Sequence, residues 1–112
     1  MPCLFCKIIA GEIPSKMVFE DDLTCAFSDI NPQAPTHILI VPRKHIVSLA
    51  ESGVEDKELL GHLHLVAAQI AGRHGLSKGF RTVINTGSDG GQTVDHLHVH
   101  LLGGRSMHWP PG

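Results

Sequence analysis

Three histidines alternate with apolar residues in the run His96-Leu97-His98-Val99-His100-Leu101-Leu102. Two apart on an extended strand, the imidazoles share one face, and Leu97, Val99 and Leu101 take the other. The apolar face belongs to a core, so the imidazole face must look into a cleft or solvent. An exposed polar face that happens to be histidine is one reading, although Lys, Thr or Glu would serve it as well. A metal site is a second. His96 and His100 are separated by about 13 Å of strand, so a metal with bonds of about 2.0–2.1 Å cannot hold all three. Catalysis at phosphorus by a neutral imidazole is the third. A nucleophilic histidine titrates near neutrality and is both available and basic. A flanking His or hydroxyl can then bind phosphate oxygens or protonate a leaving group.

The segment before this strand fits the third reading. Gly87, Gly90 and Gly91 would let backbone N–H groups approach an anion closely, and Asn85 and Thr93 add neutral donors. It is not a Walker A loop, and taken alone the glycine cluster reads equally as a turn. At the other end of the chain, Cys3-x-x-Cys6 has metal-ligand spacing, but two thiolates do not complete a tetrahedral site. A redox pair is disfavoured because no thioredoxin-like βαβ pattern surrounds it. A pair of buried helix cysteines is the remaining alternative.

The elements that must position these groups fit one domain spanning residues 1–112. Hydrophobic residues make up 42% of the chain, enough for one core. A formal net charge of −2 argues against a nucleic-acid surface, which needs a basic excess. The three cysteines are too few and too irregular for a secreted disulfide framework. The start, MPCLFCKIIAGEIP, lacks a basic leader. No apolar run approaches the ~20 residues of a membrane span. A soluble, cytoplasmic chain without membrane partners is expected.

Leu4, Phe5, Ile8 and Ile9 fall at helical spacing, closed by Gly11, and predict a short helix. Met17–Glu20 and Leu23–Ser28 read as a hairpin, and the run from His37 to Pro42 as a buried strand. Ser52 and Glu55 have the spacing of a capping box for a long helix. That helix places Leu59, Leu63, Val66, Ala67 and Ile70 on one stripe and stops at Gly75. Phe80–Thr86 and Asp95–Leu102 complete five strands. The tail from Gly103 cannot continue regular structure, because prolines and glycines break it. With no βαβ alternation, the fold class is α+β: a five-stranded antiparallel sheet with one long and one short helix.

HLHVHLL matches the His-x-His-x-His pattern of the histidine-triad (HIT) superfamily. NTGSDGGQTVDHLHVHLLGGRSMHWPPG resembles its Hint branch, the nucleoside phosphoramidases. DINPQAPTHILIVPRKH and CLFCKIIAGEIPSKMVFEDD resemble other blocks of that family, so the resemblance covers nearly the whole chain. It implies that His98 attacks the α-phosphorus of a purine nucleoside 5′-monophosphate derivative. A nucleotidyl-histidine would form and then be hydrolysed. His100 would contact the phosphate, Thr93 would donate to it or to the leaving group, and the His96 carbonyl would set the tautomer of His98. His37 would buttress the triad and Asp29 would bind the ribose hydroxyls. Leu4, Phe5, Ile8, Phe27 and Leu39 would line the base pocket, whose nucleotide contacts would also include Ile30, Asn85, Gly91 and Gln92. For the apolar residues taken singly, plain core is the alternative.

Some bacterial relatives complete a zinc site with residues corresponding to His45 and His96, which would make Cys3, Cys6, His45 and His96 a structural zinc cluster. The resemblance also implies a homodimer with a continuous ten-stranded sheet, in which Trp109 and the tail from residue 103 reach toward the partner's site. Asp95 stands where many relatives carry an aromatic residue, and Thr93 replaces a common Ser. Other functions in view are a non-enzymatic nucleotide-binding scaffold, a dinucleoside-polyphosphate hydrolase and a nucleotidyl transferase. The WPPG tail and His100 favour the phosphoramidase branch over the last two.

Overall fold

The computed structural model describes residues 3–112. Its strands are β1 (Met17–Glu20), β2 (Thr24–Ser28), β3 (Thr36–Pro42), β4 (Phe80–Val83) and β5 (Val99–Gly103). They form one antiparallel sheet in the order β1-β2-β3-β5-β4. Helix α1 (Leu4–Ile9) and helix α2 (Lys57–Arg73) complete the expected α+β architecture.

The two-residue period of each central strand divides its side chains between two apolar clusters. Ala26, Ile38, Ile40, Val99 and Leu101 face α2, where they bury Leu63, Val66, Ala67 and Ile70. Cys25, Phe27, Leu39 and Val41 join Phe5 and Ile8 of α1 in the second cluster. His37, on the same period as Leu39 and Val41, is buried as well. The site therefore sits on the α1 side, and the larger core on the α2 side holds the sheet rigid beneath it.

The turn between β1 and β2 is organised by one carboxylate. Asp21 Oδ1 accepts from the Leu23 and Thr24 backbone N–H groups at 2.9 and 2.8 Å and from the Thr24 hydroxyl at 2.7 Å. Asp21 Oδ2 lies 2.7 Å from His62 Nε2 on α2, which ties the hairpin to the helix.

Several expected boundaries move: β2 begins at Thr24 and not Leu23, and β3 at Thr36 and not His37. Ser52 does not cap α2. It closes a short 3-10 turn at Leu49–Glu51, and its hydroxyl donates to the Leu49 carbonyl at 2.6 Å. A second turn, Val54–Asp56, leads into the helix. There Asp56, not Glu55, accepts from the Gly53 N–H at 2.9 Å, because Lys44 holds the same carboxylate at 2.7 Å. That tertiary partner selects between two adjacent acids that local spacing cannot separate. The strand from Phe80 ends at Val83, opposite His100, where its partner β5 has a single residue left to pair.

The last strand begins at Val99 and extends to Gly103, so His96 and His98 precede it. Pairing of β3 with this strand stops at Ile40 opposite Val99, two residues before Pro42 closes β3. The Leu97 N–H bonds instead to the Ile46 carbonyl at 2.7 Å.

Candidate active site and metal-binding cluster

A cavity of about 370 Å³ opens on the α1 side of the sheet. Leu4, Phe5 and Ile8 form one wall, and Phe27 and Leu39 form its floor. Asp29 and Ile30, just after β2, stand at the rim with Thr93, and His98 and His100 complete the lining. Ile13, Pro14, Ser15, Ser28 and Val94 also line it. Sequence reasoning missed these five, and only the Pro14 turn after α1 could have hinted at them. A larger cavity of about 690 Å³ lies between the α2–β4 turn and the tail. Its wall includes none of the triad histidines, so the smaller one is the candidate site.

Backbone groups determine the histidine tautomers, because a carbonyl can only accept and an amide N–H can only donate. His98 Nδ1 lies 2.7 Å from the His96 carbonyl, so Nδ1 carries a proton and Nε2 is the ring nitrogen left uncommitted. The Gln33 N–H donates to His37 Nδ1 at 3.0 Å, which puts the His37 proton on Nε2. That N–H donates to His100 Nδ1 at 2.9 Å, so the His100 proton is on Nε2. Asp29 Oδ2 stands 3.4 Å from His37 Nε2, while Asp29 Oδ1 accepts from the Asn31 N–H at 2.8 Å. The pocket thus has one imidazole with an uncommitted nitrogen and a neighbour with a donor, their ring centroids 5.0 Å apart.

Burial disfavours the charged form of the supporting rings. It lowers the His37 pKa, opposed by the Asp29 charge. It lowers His100 to about 4, aided by repulsion from His98 and His37 and opposed by Asp29. His96 is 0% exposed and lies outside the cavity wall, whereas His98 lines the cavity at 4% exposure beneath α1. Phe5 stands edge-on to both rings, at 6.0 Å from His96 and 5.1 Å from His98.

Four residues expected to contact a ligand lie outside the cavity wall. Asn85 donates to the Gly90 carbonyl at 2.7 Å. Gln92 donates to the Val47 and Val94 carbonyls at 2.7 and 3.0 Å and accepts from the Gly87 N–H at 3.0 Å. Gly91, at φ +78, spends its N–H on the Ser88 carbonyl at 3.1 Å. The glycine loop is thus cross-braced by its own polar groups, and Thr93 alone of that segment's expected donors lines the cavity. Trp109 is 83% exposed on the tail. Asp95 is exposed and also outside the cavity wall.

Cys3, Cys6, His45 and His96 converge beside the pocket, their ligand atoms all within 4.8 Å of one another. His96 Nδ1 lies 3.4 Å from Cys3 Sγ, 3.6 Å from Cys6 Sγ and 3.1 Å from His45 Nδ1. Cys6 Sγ lies 3.3 Å from His45 Nδ1. The edges of a tetrahedron with zinc bonds of about 2.0–2.3 Å are about 3.3–3.8 Å, so the group fits zinc with small adjustments. His96 Nε2–H donates to the Pro42 carbonyl at 2.8 Å, leaving Nδ1 as the ligand atom. Four protein ligands leave no open position, so the cluster suits structural zinc.

The HIT domain profile matches residues 10–107. An HIT-like protein of Synechococcus elongatus is 59% identical over 97% of this chain and 96% of its own length. A 14 kDa zinc-binding protein of Zea mays is 54% identical over 99% of this chain and 88% of its own. Among solved structures, an HIT family hydrolase from Legionella pneumophila superposes with a TM-score of 0.97 at 54% identity, covering 99% of this chain and 100% of that one. A histidine triad nucleotide-binding protein from Candida albicans superposes at 0.83 and 33% identity, covering 97% and 83%. With its triad, its sheet and its relatives in agreement, the chain belongs to the HIT-domain family.

Proposed function

We propose that the protein hydrolyses purine nucleoside 5′-monophosphate derivatives, phosphoramidates above all, as a member of the Hint branch. The observation that carries this reading is the 2.7 Å bond from His98 Nδ1 to the His96 carbonyl, which leaves Nε2 as the ring nitrogen available to a substrate in a lined pocket. His98 Nε2 attacks the α-phosphorus, and the phosphorus–nitrogen bond breaks as the amine leaves with a proton relayed from solvent water through the Thr93 hydroxyl. Water then cleaves the nucleotidyl-histidine, delivering hydroxyl to phosphorus and restoring the imidazole. The His100 donor faces the phosphoryl oxygens, and Thr93 donates there or to the leaving group. Asp29 accepts from the ribose hydroxyls, and the base lies in the apolar slot of Leu4, Phe5, Ile8, Phe27 and Leu39, beside Ile30. Asn85, Gly91 and Gln92 serve by bracing the loop that presents Thr93.

The test is turnover of a panel of adenosine and guanosine phosphoramidates, with mass spectrometry after an acid-free quench. A mass increase of one nucleoside monophosphate on the peptide holding His98 is expected. His98→Ala should abolish kcat while nucleotide binding survives. Near wild-type turnover by His98→Ala would refute the mechanism, and saturable binding without any turnover would make the protein a nucleotide-binding scaffold.

A further inference from the structure

The metal cluster and the pocket share two pieces of the fold. The first is His96. Its side chain is a ligand of the cluster through Nδ1 and is anchored to Pro42 through Nε2. Its backbone carbonyl, in the same fully buried residue, holds the Nδ1 proton of His98. The second is α1. Cys3 stands at its N-cap, with Sγ accepting from the Cys6 N–H at 3.4 Å, and Cys6 lies in its first turn. On the same six-residue helix, Leu4, Phe5 and Ile8 form the pocket wall. A helix this short has no stability of its own in water, so what anchors its ends decides where that wall stands.

We propose that metal occupancy of the Cys3, Cys6, His45 and His96 cluster controls nucleotide binding, because one ion joins the α1 wall to the residue that orients His98. This rests on reading the pocket as a nucleotide site. With the ion in place, two ligands from α1 and one from the segment before β5 are fixed to each other. The ion would stand between the His45 and His96 Nδ1 atoms, which lie 3.1 Å apart. Without the ion, the Cys3 and Cys6 thiols lose their common partner, and the helix carrying Phe5 keeps its apolar contacts and only weak thiol–imidazole contacts to His45 and His96. Coupling of this kind is reciprocal: zinc should tighten a nucleotide by the factor by which the nucleotide tightens zinc.

The experiment measures AMP affinity in zinc-loaded and zinc-stripped protein, and zinc affinity with and without AMP against a competing chelator. A matching change of about tenfold or more is expected in both directions. His45→Ala, which removes an exposed ligand outside the pocket wall, should bind AMP weakly at low zinc and recover as zinc is raised. The His98 Nδ1–H proton resonance should broaden or shift when zinc is removed. Leu63→Ala, on the opposite face of the sheet, supplies a control of lowered stability that should keep its AMP affinity below its melting temperature. A stripped protein with unchanged AMP affinity and an unchanged His98 resonance would overturn the proposal. So would global unfolding on stripping, seen by circular dichroism, since zinc would then be a folding ligand and not a local clamp. If neither form binds AMP, the nucleotide reading fails, and the resonance still decides whether the cluster acts on His98.

Discussion

Single backbone groups govern the chemistry of this site. The Gln33 N–H commits His37 to one tautomer, and His37 in turn commits His100. His37→Ala should therefore leave the His100 tautomer unfixed and lower kcat by about tenfold or more. His37→Gln, which can still donate through Nε2, should recover part of the loss; steady-state kinetics of both variants would check this. The low pKa of His100 also has a stability consequence. The unfolded chain takes up a proton near pH 6.5, but the folded ring resists until about 4. The contribution of this neutral ring is thus complete above 6.5 and is lost as pH falls toward 4. Urea unfolding between pH 7 and 4 should show a steeper loss for wild type than for His100→Gln.

At the scale of elements, the start of α2 discriminates between local and tertiary capping. Asp56 is buried, with the Gly53 N–H and Lys44 on its carboxylate, whereas the Ser52 hydroxyl closes only an exposed turn. Asp56→Ala should lower the melting temperature clearly and Ser52→Ala scarcely, as calorimetry would register. Within α2, Leu63 is fully buried against the sheet. Leu63→Ala should cost about 2–5 kcal/mol in denaturant unfolding. The β1–β2 turn depends on Asp21, whose pKa falls to about 2. Partial burial works against that fall but is outweighed by bonds from Thr24, His62 and Leu23. Asp21→Ala should cost about 1–2 kcal/mol through lost hydrogen bonds. Its own contribution is present above pH 3.8 and fades as pH falls through 2.

For the whole molecule, β4 is an edge strand with Phe80 45% exposed, and Leu65 on α2 is 65% exposed. An edge strand with apolar neighbours invites pairing, and we propose a homodimer joined along β4 and α2, with the tail of each protomer near the other's pocket. Sedimentation should give about twice the 12.1 kDa chain mass at micromolar concentration; a 12 kDa species alone would remove the dimer. Metal analysis of protein purified without chelators should give about one zinc per chain. No described helix is long and apolar enough to cross a membrane.

What the residues determined by themselves was periodic or local. The two-residue period placed Leu97, Val99 and Leu101 in the core, and the helical stripe of α2 marked the face it buries. The spacing of the histidines and cysteines narrowed their chemistry to a few readings, because side-chain type and short-range geometry are written in order along the chain; the family resemblance chose among them. Tertiary structure decided which polar groups became partners. Nothing in the order of residues says that Pro42 ends one strand and accepts from His96, or that Gln33 selects the proton of His37. Nor does local spacing show that Asn85 and Gln92 are spent on bracing a loop. Bonds such as His96 to Pro42 join groups more than fifty residues apart, and their geometry exists only after the sheet has closed and α1 has folded across it. The physical reason is directional: burial follows from composition and period, whereas a hydrogen bond needs both ends in place.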